Sequence, residues 1–258
     1  MIVRSEDERL AASIAAQAGD LLVSLRQSGL SGRELGDSGD AEANSLIIGQ
    51  ISANRPGDAI LSEESPDDQR RLQAERVWIV DPLDGTREYR TPGRTDWAVH
   101  IALWCRGVGL AAAVVALPAS GVVFTSATAQ LRGGERSGGD GDPLLIAVSA
   151  SRPQPEAEAV AEANGWRLVH IGSAGAKVMA VLNGEVDAYI HTGGQWEWDS
   201  AAPVGVALAA GLHTSRVDGS ELVYNQAHPY LPDLLVCRRE LARILLDALG
   251  AQRLGKSE

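Results

Sequence analysis

Two acids, a glycine and a threonine are packed into Asp81-Pro-Leu-Asp84-Gly85-Thr86, which directly follows the apolar run Val77-Trp-Ile-Val80. A run that is apolar at every position suits a strand covered on both faces, and Pro82 is expected to stop its ladder where the first acid appears. Asp81 and Asp84 would then stand on a rigid turn at a strand's carboxyl end. That pair suits a hard cation such as Mg²⁺, which takes oxygen ligands in near-octahedral array at roughly 2.0–2.1 Å and keeps several waters. Acids three residues apart can serve one ion or bridge two. The Leu83 carbonyl, freed from sheet pairing, is a further candidate ligand, and metal held there could face a phosphate. The same residues also read as plain turn chemistry, in which Asp bonds the backbone two residues on and Gly supplies unusual dihedrals.

Other carboxylates recur in similar settings. In Leu61-Ser-Glu-Glu-Ser65, after the short apolar stretch Ala59-Ile-Leu61, either Glu63 or Glu64 stands at a strand end. Adjacent residues of an extended strand face opposite ways, so one acid should enter a site while the other meets solvent; alternatively both begin a solvated helix. Asp199, in Trp196-Glu-Trp-Asp-Ser-Ala-Ala202, opens a run of small residues, and taken alone it reads as a helix N-cap. Gly39-Asp40 precedes a helical stretch over residues 41–53 with Leu46, Ile47 and Ile51 apolar, which again allows an N-cap. Acids at several such termini permit a convergent cluster.

The elements that must position these groups can be read from apolar periodicity. Residues 6–27 form an amphipathic helix with Leu10, Ile14, Leu21, Leu22 and Leu25 on one side. Strands are expected over residues 96–104, 109–117 and 121–125, then a Gly-rich polar stretch, 128–142, as a hairpin tip or connection. A second alternating unit starts with the strand 144–149 and includes helices over 177–182, 201–210 and 239–249. With 258 residues and 45% apolar content, the chain can build one large core or two closely packed subdomains, 1–140 and 141–258.

Composition excludes some partners. A net charge of −11 argues against nucleic-acid polymers, which need a broad basic face. The charge also means that any anionic ligand must be attracted locally, by bound cations or by particular Lys and Arg residues. Cys105 and Cys237 form no CxxC and read as reduced core thiols. The amino terminus is charged and enters a helix, unlike a signal peptide, and no apolar stretch is long enough to span a bilayer. A cytoplasmic location with no membrane partner is the expectation.

Glu63 in Ser-Glu-Glu-Ser, Trp78-Ile-Val-Asp-Pro-Leu-Asp-Gly-Thr86 and Trp198-Asp-Ser-Ala-Ala202 resemble, in order and separation, the defining motifs of the inositol monophosphatase superfamily of lithium-sensitive, Mg²⁺-dependent phosphomonoesterases. Within it the chain is similar to bacterial CysQ-type 3'(2'),5'-bisphosphate nucleotidases, notably the actinobacterial kind. Asn54-Arg-Pro-Gly-Asp58, Thr91-Pro-Gly-Arg94 and Gly193-Gly-Gln-Trp-Glu-Trp-Asp199 extend that likeness. The resemblance implies a layered αβαβα sugar-phosphatase fold of the α+β class with its site at the junction of two halves. It implies metal ligation by Glu63, Asp81, the Leu83 carbonyl, Asp84 and Asp199, for two Mg²⁺ ions with a looser third allowed. Asp40, Glu63 and Thr86 become the catalytic group that orients and deprotonates water, while the amides of Gly85 and Thr86 cradle phosphate beside Asp84 and Asp199. The family usually has Thr-Asp where this chain has Gly39-Asp40.

The resemblance further implies a homodimer, a small phosphate ester as substrate, and a role in sulfate assimilation through removal of the 3'-phosphate of 3'-phosphoadenosine 5'-phosphate, with action on its sulfated precursor as an extension. Ser173 and Lys177 in Gly172-Ser-Ala-Gly-Ala-Lys177 are the candidates for the non-reacting phosphate, with Arg152 a weaker one. Against this stands a bland alternative, glycines that ease helix packing beside a solvated lysine. Inositol-1-phosphate or fructose-1,6-bisphosphate hydrolysis would use the same metal ligands. A non-catalytic metal and nucleotide sensor would keep the acids but not need Thr86 and Asp40.

Overall fold

The computed structural model describes residues 2–132, 142–152 and 154–254. Two long helices, α1 (Ile2–Arg26) and α2 (Gly32–Asn54), lead into a sheet of β1 (Ala59–Ser62), β2 (Arg76–Asp84), β3 (Ala98–Cys105), β4 (Gly109–Leu117) and β5 (Val122–Thr125). The short helix α3 (Thr86–Tyr89) lies between β2 and β3. β1 and β2 are parallel and the later neighbours antiparallel.

The second sheet contains β6 (Leu145–Ser149), β7 (Arg167–Ile171), β8 (Ala188–His191), β10 (His213–Ser215) and β12 (Leu234–Cys237), in the order β10-β12-β8-β6-β7. β6 pairs parallel with β7 and β8, and β12 is antiparallel to both its neighbours. Four helices accompany it: α4 (Pro155–Ala163), α5 (Ala174–Asn183), α6 (Glu197–Ala209) and α7 (Ala242–Leu254). A small ribbon pairs β9 (Gln195–Trp196) with β11 (Tyr230–Leu231).

Side-chain alternation along β2 decides the layering, because successive residues of a strand face opposite ways. Trp78 and Val80 join an outer core with Ile14 and Leu22 of α1 and Ile47 and Ile51 of α2. Val77 and Ile79 join a central core with Val178 and Val181 of α5 and Val204 and Val206 of α6. That core continues to Tyr189 and Val236 of the second sheet. A third core sets Ile146, Ile190 and Leu235 against Val160 of α4 and Leu245 of α7. The layers therefore run helix, sheet, helix, sheet, helix, the αβαβα arrangement of an α+β fold. Helices sandwiched between two sheets must be apolar nearly all round, and every residue of α5 from Ala174 to Leu182 is buried.

Three local expectations are corrected. β2 does not stop at Val80: it runs to Asp84, and Asp81 pairs with His100 while Asp84 pairs with Ala98, so one extra residue bulges out between them. A bulge can absorb Pro82, which has no amide proton to donate. Helix α2 begins at Gly32, so Asp40 lies inside it rather than at its cap. Helix α6 begins at Glu197, which puts Asp199 within its first turn. The Gly-rich connection expected over 128–142 lies largely, and the boundary expected at 140/141 wholly, outside the described residues. No described helix is long and apolar enough to cross a membrane.

Candidate active site

The bulge presents the acids. The buried Asp81 folds one carboxylate oxygen back to accept the Leu83 amide at 3.0 Å, while its Oδ2 is buried with no hydrogen-bond partner. Gly85 follows with φ of 89°, a left-handed conformation that a side chain would strain. This sharp turn swings the chain into α3, where Thr86 Oγ1 lies 3.2 Å from the Leu83 carbonyl and 3.2 Å from Asp40 Oδ1.

Asp40 reaches that hydroxyl because α2 comes unusually close to the turn. A Cβ at Gly36 would stand 3.0 Å from Thr86 Cγ2, and one at Gly39 would stand 2.8 Å from the Tyr89 ring. The turn is also anchored from behind. Tyr89 donates its hydroxyl to the Leu22 carbonyl at 2.8 Å and packs edge-on against Trp97. Arg26 lies over both rings and donates to the carbonyls of Arg94 and Thr91.

Asp84 is held from the central helix layer: its Oδ2 accepts the Gly175 amide at 3.0 Å. Asp199 accepts the Trp196 amide at 2.6 Å, which fixes its carboxylate at the start of α6. Glu63 extends the β1 ladder, its amide donating to Val80 at 3.2 Å. Glu63, Asp81, Leu83, Asp84, Gly85, Thr86 and Asp199 thus line one cleft, although they come from the end of β1, the β2 bulge, the turn into α3 and the start of α6. Glu64 is exposed and does not line it.

Crowding raises the pKa of these acids. Burial, then the charge of Asp199, lifts Glu63 to about 8, although the residue keeps an open edge to solvent. Burial, then Glu63, pushes Asp81 well above the usual carboxylate range. Burial, then Asp84, brings Asp199 to about 7. Asp40 also rises to about 7, through burial and then the nearby Glu64. Acids gathered with so little countercharge, one oxygen of them buried and unpaired, form a donor set that fits a hard divalent cation.

The far part of the cleft carries cations. Arg152 and Lys177 line it together with Ser149, Ser151 and His191. Lys177 is buried, not solvated: its ammonium donates to the Gly172 carbonyl and, at 2.9 Å, to that of Ser173, and lies 5.0 Å from the Tyr189 ring centre. Burial brings its pKa down to about 8. Ser173 caps α5, its hydroxyl accepting the Ala176 amide at 2.9 Å, and the residue packs beside Gly85 without lining the cleft. His100 is a site residue that the sequence alone does not single out. It is fully buried, 3.3 Å from Asp84, and groups with Asp81 and Asp84 as a possible metal-binding set. Its one sequence signal is that it stands as the lone polar residue in the otherwise apolar run of β3.

The fold and the gathered acids define a metal-dependent phosphatase architecture, and the chain belongs to the inositol monophosphatase family, whose model matches residues 6–249. Among its relatives is the 3'-phosphoadenosine 5'-phosphate phosphatase of Mycobacterium leprae (strain TN). That protein is 56% identical over 254 residues, covering 94% of this chain and 93% of the relative. The 3'(2'),5'-bisphosphate nucleotidase CysQ of Escherichia coli (strain K12) is more distant, 30% identical over 74% of this chain and 80% of its own length. The crystal structure of inositol monophosphatase II from Staphylococcus aureus MSSA476 shares the fold. It has a TM-score of 0.78 and 20% identity, over 93% of this chain and 94% of that one.

Proposed function

We propose that this chain is a Mg²⁺-dependent phosphomonoesterase that removes the 3'-phosphate of 3'-phosphoadenosine 5'-phosphate to leave AMP. The observation that carries the chemistry is the meeting of Glu63, Asp81, Asp84 and Asp199 in one cleft. The substrate assignment rests on the near full-length relative of that name.

Glu63, Asp81, the Leu83 carbonyl, Asp84 and Asp199 are the groups that would hold Mg²⁺. When bound, such ions stabilise developing charge and lower the pKa of water. The protein's own part begins with Thr86. Its hydroxyl has one proton and two acceptors within 3.2 Å, Asp40 and the Leu83 carbonyl. Donation to Asp40 leaves the Thr86 oxygen lone pairs to orient an attacking water, and Asp40, at about 7, can take a proton near neutral pH. The amides of Gly85 and Thr86 would hold phosphate oxygens at the turn.

The second phosphate would meet Arg152, which is exposed at the cleft. Lys177 adds charge from behind and, with Ser173, shapes the loop before α5. Action on the sulfated precursor follows if this end of the cleft accepts a mixed anhydride. Inhibition by Li⁺, a homodimer and a place in sulfate assimilation belong to the same reading. The Thr86–Asp40 contact favours an enzyme over a metal and nucleotide sensor, which would have no use for it.

Phosphate release with Mg²⁺ from adenosine 3',5'-bisphosphate, inositol 1-phosphate and fructose 1,6-bisphosphate tests the assignment. The nucleotide should show the highest kcat/KM. A preference for either sugar ester would replace the substrate, and no release from any of the three would defeat the reading.

A further inference from the structure

His100 stands opposite Asp81 in the ladder between β2 and β3, one step from the bulge that carries Asp84. Ala98 and Ala102, on the same face of β3, belong to the central core, so the imidazole is fully buried in a stretch otherwise lined by methyl groups. A buried polar ring is costly unless it finds partners. Its Nδ1–H donates to the Trp198 carbonyl at 3.2 Å, and its Nε2, left without a hydrogen-bond partner, abuts Asp84 Oδ2 at 3.3 Å.

The start of α5 closes over the other side of the ring. A Cβ added to Gly175 would fall 2.2 Å from Nε2, and the Gly175 amide donates to the same Asp84 oxygen at 3.0 Å. Trp198 is the residue immediately before Asp199. One side chain therefore touches the β2 bulge, the first turn of α5 and the first turn of α6. These elements hold two acids that are far apart in sequence.

We propose that His100 is a positioning residue: by spanning the Asp84 carboxylate and the Trp198 carbonyl, it sets the separation of Asp84 and Asp199 so that both face one ion. This rests on the metal-dependent reading above and goes beyond it in assigning His100 a role. The Nδ1–H bond ties the ring to the start of α6, and the close backbone of Gly175 holds its other edge against Asp84. Outer partners of this kind fix ligand orientation, and their removal typically costs about 10–100-fold in metal affinity.

Calorimetric Mg²⁺ binding without substrate tests the proposal, alongside the Mg²⁺ concentration for half-maximal phosphate release. His100→Ala should weaken both by about 10–100-fold and leave KM at saturating Mg²⁺ largely unchanged. His100→Asn, whose amide can still donate to the Trp198 carbonyl, should recover much of the loss, which a merely space-filling role would not predict. Gly175→Ala keeps the ring but presses a methyl group into Nε2, and it should weaken Mg²⁺ in the same direction.

A wild-type measurement covers the case in which these variants do not fold. In ¹⁵N spectra of the histidine rings, the His100 signal should move when Mg²⁺ is added. A His100 signal indifferent to saturating Mg²⁺, or a folded His100→Ala protein with wild-type Mg²⁺ affinity, would overturn the proposal. Wild-type protein that binds Mg²⁺ but hydrolyses no ester would instead defeat the functional reading, with the His100 result still decided by calorimetry.

Discussion

Thr86 Oγ1 lies 3.2 Å from Asp40 Oδ1, although the two residues are 46 positions apart. In the proposed reaction this contact supplies a proton acceptor outside the set of acids that would hold metal. Asp40→Asn should lower kcat by about 10²–10⁴-fold, the usual contribution of a positioned base, with a smaller effect on KM. In the parent enzyme, protonating Asp40 should reduce kcat/KM as pH falls through about 7, the value to which burial and Glu64 raise it. A pH–rate profile checks both statements: Asp40→Asn should lose that acidic limb.

Asp84→Asn should remove most activity and leave the fold in place. The amide oxygen of Asn can still accept the Gly175 amide, so α5 keeps its anchor, but the anionic ligand is gone. The loss in kcat/KM should exceed the roughly 10–100-fold typical of outer-sphere partners. Steady-state kinetics and near-UV circular dichroism, taken together, separate lost chemistry from lost structure.

Metal-free protein should become less stable as pH rises from about 5 to 8. Glu63 and Asp199 have ordinary values of 4.5 and 3.8 but stand at about 8 and about 7 in the folded chain, and Asp81 is raised too. Between those values the native state binds more protons than the unfolded state, so stability falls with increasing pH. Mg²⁺ favours the ionised acids and should flatten the trend. Melting temperatures in EDTA and in Mg²⁺ across this range provide the check; a rise in EDTA would contradict it.

Arg152→Ala should raise KM for adenosine 3',5'-bisphosphate by about tenfold, equivalent to about 1.4 kcal/mol, and affect a simple monophosphate far less. Lys177→Ala should also hurt the bisphosphate more than the monophosphate, and should lower the melting temperature because three carbonyls lose a buried donor. Equal kinetic losses on both esters would assign Lys177 to loop structure alone.

The acids of the cleft were legible in the sequence because each sits beside a short apolar run or a small-residue helix. The layers could be inferred in outline, since Val77 to Val80 needed cover on both faces. The β2 bulge was less visible: Pro82 signals a break, but sheet pairing on either side carries the strand through it. The start of α2 was hidden by Gly32, Gly36 and Gly39, which oppose helix by propensity. Packing reverses that preference, because Gly36 and Gly39 let the helix reach Thr86 and Tyr89. His100 could not be assigned from sequence, as its meaning depends on Trp198 and Gly175, which approach it only in three dimensions.

Helix α1 contributes no side chain to the cleft, yet Leu22 receives the Tyr89 hydroxyl and Arg26 clamps the segment after it. The amino-terminal helix is thereby a strut for the turn that carries Thr86. Loosening that strut by Arg26→Ala, which leaves the core face of the helix intact, should slow turnover before it disturbs cation uptake, so damage remote from the reacting ester would register as a kinetic defect.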